Sequence, residues 1–412
     1  MALLTGIDWA DDHHDLCLLS EDGSVLEAFP FAHTPEGLAR MHTAIARYEV
    51  RPDQVFVAVE TSHGLLIDDL VAQRYCVYAL NPKSVDRYRD RIAPSGPKDD
   101  GLDARCLAEI MRTDRHLHRP LVLPTEKYVE LGMFCNDVRK IIEENTRLSN
   151  QLGACLKGYY QQAVDLFSEA NSPINIAFLK KYPDPTALVD LTYDDFVAFL
   201  KQQKYPCPKN IPALWKRIKA RALKPSTPAL NAGRMRMSSL VDQLETIRKH
   251  IRLYEKQIQN LLEELPEADT FNSLPGAGKR IAPEMAAAFG PNMDDAPKLF
   301  QAANELKRLS GCAPITKKTG KTKYVRRRLA CDKRLNRTFY ELGRASVTKS
   351  RWAKAYFDDC KRRTIRKTTV YRSLACKWIK IAFHLWKTGQ QYDEDYHIRQ
   401  LKSRGITWAM SL

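Results

Sequence analysis

Four carboxylates stand where a metal-dependent phosphoryl-transfer site would put them. Asp8 lies near the end of the first apolar run, in TGIDWA, and Glu60 closes the fourth, in VAVETSHG. Asp100 and Asp103 follow in KDDGLDARCLAEI, three residues apart, so a helix there carries both on one face. Acids so placed could hold two divalent ions about 4 Å apart, one serving the attacking oxygen of a phosphodiester displacement and one the leaving oxygen. All-oxygen ligands suit Mg2+ or Mn2+. Each acid alone has an ordinary reading: Asp8 as a turn cap, Glu60 as a solvated strand end, Asp99, Asp100 and Asp103 as first-turn acids that complement a helix dipole. It is the combination, an acid after each of two apolar strands and D-x-x-D at a helix start, that argues for function. His13, His14 and His63 lie close by in sequence, and the first two read as surface histidines.

The far end of the chain sets hydroxyls among cations. In LSGCAPITKKTGKTKYVRRRL, Thr319 is flanked by Lys317, Lys318, Lys321, Lys323, Arg326, Arg327 and Arg328. Given a base or a metal to activate it, such a hydroxyl could attack a phosphodiester while the cations stabilise the pentavalent transition state. The alternative is a solvated basic loop that clamps a nucleic-acid backbone. Thr319-Gly320-Lys321-Thr322 invites a nucleotide P-loop, but that motif needs glycine where Ile315 stands, and no parallel strand precedes it, which excludes ATP binding. Upstream, Pro275-Gly276-Ala277-Gly278-Lys279 reads either as the hairpin of a helix-hairpin-helix unit, with Gly276, Gly278 and Lys279 meeting a phosphate, or as a plain interhelical loop.

The elements that must position these groups can be read from patterning. In residues 1–120, apolar or alternating runs at Leu3–Trp9, Leu16–Leu19, Val25–Phe31, Val55–Glu60 and Cys76–Leu80 predict strands. Helices are expected near Pro35–Tyr48, Gly64–Gln73 and Pro82–Arg91. Three strands followed by alternating helix and strand predict an α/β, RNase H-like sheet, not a nucleotide-binding Rossmann domain, which alternates from its first strand. In that sheet the strands of Asp8 and Glu60 are neighbours. From about Pro124, apolar residues from Leu131 to Tyr159 recur at helical steps, and a second stripe runs from Leu240 to Leu265. Such stripes could pair with each other as an antiparallel arm or with another subunit as a coiled coil. The expected division is residues 1–122, a helical spacer at 123–265 with a proline-punctuated lobe at about 161–232, and a mainly α-helical basic domain at 266–412.

Charge supports that division. Residues 1–120 hold 13 Lys/Arg against 20 Asp/Glu, while residues 301–412 hold 28 against 8, within a chain of net charge +16. A basic excess confined to one end is the footprint of a polyanion-binding surface. The ten cysteines are scattered with no C-x-x-C pair, so reduced thiols are expected. No run of eighteen apolar residues and no signal-like start are present, which predicts a cytoplasmic protein without membrane contact.

The order D, E, D-x-x-D, then a helical spacer, P-G-x-G and a segment like GLAP-x-x-x-x-SG resembles the DEDD-type insertion-sequence transposases, relatives of the Piv DNA invertase described as bridge-RNA-guided recombinases. The resemblance covers residues 1–120 and about 266–385, leaving the lobe unmatched. K-x-D-x-x-D-A stands here as Lys98 to Ala104, which selects Asp100 over Asp99. The second motif stands as Gly311 to Lys321, and the family's nucleophilic serine falls on Thr319, a departure that keeps the hydroxyl and adds a methyl. Thr316 and Ser310 are the nearest substitutes. The resemblance implies a RuvC-like metal domain and a covalent protein–DNA link through Thr319, followed by strand exchange through a Holliday-type junction. The implied partners are double-stranded donor and target DNA, a structured non-coding guide RNA, and further copies of the chain as a dimer or tetramer. Two other readings suit the same residues: a metal-dependent junction-resolving nuclease needing no covalent hydroxyl, and a non-catalytic nucleic-acid-binding protein.

Overall fold

A computed structural model describes residues 2–92, 100–121, 125–291, 300, 302–320 and 322–412; the side chains of residues 91, 92 and 100 also lie outside the description. Two compact units are present, residues 1–123 and 124–412.

The first unit is mixed α/β. Strands β1 (Leu3–Trp9), β2 (His13–Leu19) and β3 (Val25–Ala32) form an antiparallel meander. Helix α1 (Pro35–Ala46) leads to β4 (Val55–Val59), and α2 (Leu65–Ala72) to β5 (Cys76–Ala79), both strands parallel to β1, so the order is β3-β2-β1-β4-β5. Helices α3 (Pro82–Ile92) and α4 (Asp100–Thr113) complete the unit. Alternation divides the sheet between two cores. Leu3, Ile7, Val55, Val57 and Val59 face α1 and α2, while Leu4, Cys17, Leu19 and Ala58 face Ala104, Leu107 and Met111 of α4. Gly6 marks the crossing of α4 over β1, since a Cβ there would lie 1.9 Å from the Ala104 carbonyl oxygen and 2.5 Å from the Ala108 nitrogen. Only glycine permits that approach, which brings the start of α4 to the strand ends.

Two sequence expectations change here. β2 begins at His13 instead of Leu16, because its first residues pair with Asp8 and Trp9 of β1 by backbone although His13, His14 and Asp15 carry no apolar signal. His14 is not a surface residue but fully buried, packed edge-on to Phe31. Its Nδ1 accepts from the Ala10 amide at 3.3 Å and its Nε2 lies 2.8 Å from His33 Nδ1, which selects the neutral ring with its proton on Nε2. Burial foremost, then the nearby His33 and His13, lowers its pKa from 6.5 to about 4. Between those values the unfolded chain binds a proton that the folded chain refuses, so the stabilisation is complete above pH 6.5 and is lost as pH falls to about 4. Melting between pH 7 and pH 4.5 should show a loss approaching about 3 kcal/mol that shrinks in His14→Gln; equal slopes in the two proteins would remove His14 as its source.

The second unit is mostly helical. Helix α5 (Glu126–Tyr159) leads into α6 (Pro173–Lys181), α7 (Tyr193–Gln202) and α8 (Ile211–Ile218), and α9 (Thr227–Glu263) runs back. Within the chain the two long helices pair antiparallel: Leu131 and Val138 share a core with Ile258 and Leu262, and Leu148 to Tyr159 with Met237 to Leu244. The lobe is a packed body in its own right, with Phe167, Phe178, Phe196 and Phe199 buried against that second end. Helices α10 (Ala268–Asn272), α11 (Gly278–Phe289) and α12 (Ala303–Leu309) precede a hairpin of β6 (Ile315–Thr319) and β7 (Thr322–Arg326). Then come α13 (Lys333–Lys349), α14 (Arg351–Arg362), α15 (Lys367–Thr388) and α16 (Glu394–Ser403), around a core of Trp352, Trp378 and Trp386. No helix among the described residues is long and apolar enough to cross a membrane.

Candidate metal and nucleic-acid sites

Parallel pairing of β1 with β4 ends at Ile7 opposite Val59, so the next residues of the two strands are Asp8 and Glu60. Both share the face of Leu4, Gly6 and Ala58, the face that α4 covers. Asp103 sits on α4 one residue before Ala104, whose carbonyl lies over Gly6. The sheet therefore gathers Asp8 and Glu60 at one edge and brings the first turn of α4 toward it. Asp100 is the first residue of α4 and shares a helix face with Asp103 by spacing; its side chain lies outside the described residues. Asp103 is buried, and its Oδ1 is 3.1 Å from Arg89 Nε on α3, while Arg89 also bonds Asp86 at 2.6 Å.

One acid escaped the sequence reading. Asp15 stands directly opposite Asp8 in the β1–β2 ladder, on the same face as Cys17 and Leu19. The alternation Asp15, Cys17, Leu19 is its only signal, and it is obscured by the polar start of β2. Among the described residues, no three His, Cys, Asp or Glu groups converge as ready metal ligands. The donors nevertheless suit a hard divalent cation: they are carboxylates, placed on adjacent strands and a crossing helix. Asp103 could join them only by exchanging Arg89 for the cation.

The basic residues around Thr319 belong to the second unit. Thr319 closes β6 opposite Thr322, and Gly320, at φ +56°, begins the two-residue turn; Lys321 lies outside the described residues. The predicted loop is thus a hairpin, and the domain is not all helix: alternating Ile, Thr, Tyr and Val flank a glycine turn, a pattern masked by the lysines. Its strands are antiparallel, which agrees with excluding a P-loop. Lys317 and Thr319 share one face with Tyr324 and Arg326, whose guanidinium lies 4.8 Å from the Tyr324 ring centre. Lys318 and Lys323 are cross-strand partners on the other face, a like-charge pair that disfavours the bare hairpin and favours an anion beside it. Arg327 is exposed and bonded to Asn336 at 3.1 Å, and Arg328 is half-buried. Ser310 is fully buried with its hydroxyl donating to the Lys307 carbonyl at 3.3 Å, which removes it as a substitute for Thr319, whereas Thr316 is exposed. Replacing Lys318 and Lys323 with glutamate should weaken duplex binding without regard to sequence and lower the slope of log affinity against log salt by about two. An unchanged slope in a titration from low to moderate salt would place the phosphate contacts elsewhere.

In the α10–α11 loop, Gly276 has φ +90° and a Cβ there would lie 3.0 Å from Ala345 and Ser346, so this glycine serves packing against α13. Gly278, at φ +52°, faces open space, and Lys279 is exposed. The three residues therefore divide between an internal contact and an accessible loop end.

Two family models match the chain. Residues 5–161 match a transposase model, the DEDD transposase of IS110, and residues 268–358 match the transposase IS116/IS110/IS902 family. A Streptomyces coelicolor protein bearing the name of a mini-circle transposase for IS117 is 27% identical over 405 residues, 96% of each chain. An uncharacterized 44.8 kDa protein of insertion element IS116 from Streptomyces clavuligerus is 25% identical over 390 residues, covering 92% of this chain and 93% of that one. The fold and the matched regions define a transposase, an enzyme of DNA recombination. The chain belongs to the IS110-type family within that class, and a DEDD-type domain implies dependence on a divalent metal.

Proposed function

We propose that this transposase cuts and rejoins DNA under the guidance of a structured RNA, with Asp8, Glu60, Asp100 and Asp103 as metal ligands in an RNase H-like domain and Thr319 as nucleophile. The observation that carries the reading is the register that sets Asp8 beside Glu60 on the face that α4 crosses at Gly6. Mg2+ or Mn2+ bound there would supply charge neutralisation and an activated oxygen. The chain's own groups do the rest. The Thr319 hydroxyl adds to a backbone phosphorus; the Oγ1–P bond forms as a phosphorus–deoxyribose oxygen bond breaks. The hydroxyl proton passes to a base, and the released sugar oxygen takes up a proton. The resulting phosphothreonine link conserves the energy of the phosphodiester, so a sugar hydroxyl of another strand can reverse the step and complete an exchange through a Holliday-type junction.

Lys317, Lys318, Lys321, Lys323 and Arg326 would hold the backbone, with Gly278 and Lys279 as an accessory phosphate contact. Arg327 and Arg328 extend that phosphate contact beyond β7, and Gly276 shapes the loop that carries Gly278 and Lys279. The chain divides functionally into residues 1–122, 123–265 and 266–412, the middle part serving RNA binding and assembly of a dimer or tetramer. Under guidance the basic surface holds shape and backbone, and pairing reads sequence. Purification of the chain with its native transcript, followed by nuclease removal of RNA, tests this. Recombination should disappear with the RNA and return when it is restored, and recombination by RNA-free protein would overturn guidance.

A further inference from the structure

A cleft of about 910 Å³ opens in the second unit between α12, α15 and α16. Lys307, Lys377 and Lys380 converge on it from two helices. Lys307 is buried, its ammonium bonded to the side-chain oxygen of Asn304 at 3.3 Å, and Lys377 lies over the Tyr356 ring at 4.9 Å. Among the described residues none of the three has a carboxylate partner. Asp393, the one acid on the wall, is committed to capping α16 through the Tyr396 amide at 2.9 Å. Burial and the neighbouring Lys380 lower the pKa of both Lys307 and Lys377, the response of ammonium groups gathered without a counterion. The exposed ring of Tyr396 and the half-buried ring of Trp408 also line the cleft, Trp408 packed edge-on to Tyr356 at 5.4 Å.

Like charges turned into one cavity, these three lysines with Arg404 on the same wall, cost stability unless an anion fills it, and a space of this size exceeds what phosphate alone needs. Aromatic walls add a stacking surface for a nucleobase. We propose that this cleft binds one nucleoside phosphate, its phosphate on Lys307, Lys377 and Lys380 and its base against Tyr396 and Trp408. A duplex is too broad to enter, so the ligand is either a free nucleotide or the unpaired terminal nucleotide of a strand. The cleft uses neither the carboxylates nor Thr319 and does not depend on their roles.

The test is equilibrium dialysis on the full chain carrying Lys318→Glu and Lys323→Glu, which silences the hairpin. The probes are AMP, adenosine, inorganic phosphate, and pentathymidylate with and without a 5′-phosphate. AMP or the phosphorylated strand should saturate at one per chain, at least tenfold tighter than adenosine or inorganic phosphate. Preference for AMP marks a free nucleotide, and preference for the phosphorylated over the unphosphorylated strand marks a strand end. Lys380→Glu, at an exposed position, and Lys377→Met should each weaken that binding tenfold or more without lowering the melting temperature. Absence of saturable binding by either phosphorylated probe, equal binding of inorganic phosphate, or binding indifferent to both lysine variants overturns the proposal.

Discussion

Asp8→Asn should reduce DNA strand cleavage by roughly a thousandfold, about 4 kcal/mol of transition-state stabilisation, while leaving duplex affinity within about twofold. The substitution preserves shape and hydrogen-bonding reach and removes one charge from the edge where Asp8 meets Glu60 along one ladder and Asp15 along the other. Asparagine keeps the backbone pairing of β1 with β2 and β4 but brings no charge to a divalent cation. The variant should therefore melt no lower than the parent without metal, yet lose the rise in melting temperature that Mg2+ or Mn2+ gives the parent. Asp12→Asn, at an exposed turn position, is the control that should change neither property. Full cleavage by Asp8→Asn would assign the metal to other residues. Cleavage lost together with the fold would show in the metal-free melt, so the two causes separate.

The first unit was legible because its strands are buried on both faces. Leu3 to Ile7 and Val55 to Val59 are almost wholly apolar, which marks them as central strands, and the acid that ends each run is then forced to the same edge by parallel pairing. Asp15 and His14 were not legible, since each takes its place from a cross-strand neighbour: Asp15 from Asp8, and His14 from His33 and Phe31. The Arg89–Asp103 pair is likewise tertiary, joining two helices whose relative rotation no periodicity reports. In the second unit the two stripes announced long helices and left their partner open; shared cores at both ends make them partners of one another. The hairpin was hidden by its own chemistry, because lysines at alternating positions read as a solvated loop although Thr, Ile, Tyr and Val between them favour strand. Selection of Asp100 over Asp99 came from family resemblance and not from spacing, which serves either equally.

The widest consequence attaches to Thr319. Thr319→Val keeps the branched shape and the strand preference and removes only the hydroxyl, so the hairpin should persist while the covalent protein–DNA adduct disappears and recombination falls a thousandfold or more. Thr319→Ser keeps the hydroxyl and removes the methyl that restricts χ1, so it should match or exceed the parent by a few fold. This pair isolates the oxygen from the packing, which an alanine variant alone would not do. Thr322→Val is the companion measurement: Thr322 faces Thr319 across the last rung of the ladder and offers the same group one strand away. An adduct that survives Thr319→Val, with mass spectrometry locating the phosphate on Thr322 or Thr316, would move the nucleophile along an intact hairpin. Metal-dependent cleavage without any adduct in all three proteins would instead favour a resolvase-like nuclease, in which the carboxylates act on water and the hairpin only grips the backbone. The serine variant separates these outcomes most sharply, because removing a methyl can accelerate attack by that hydroxyl but leaves hydrolysis by water unaltered.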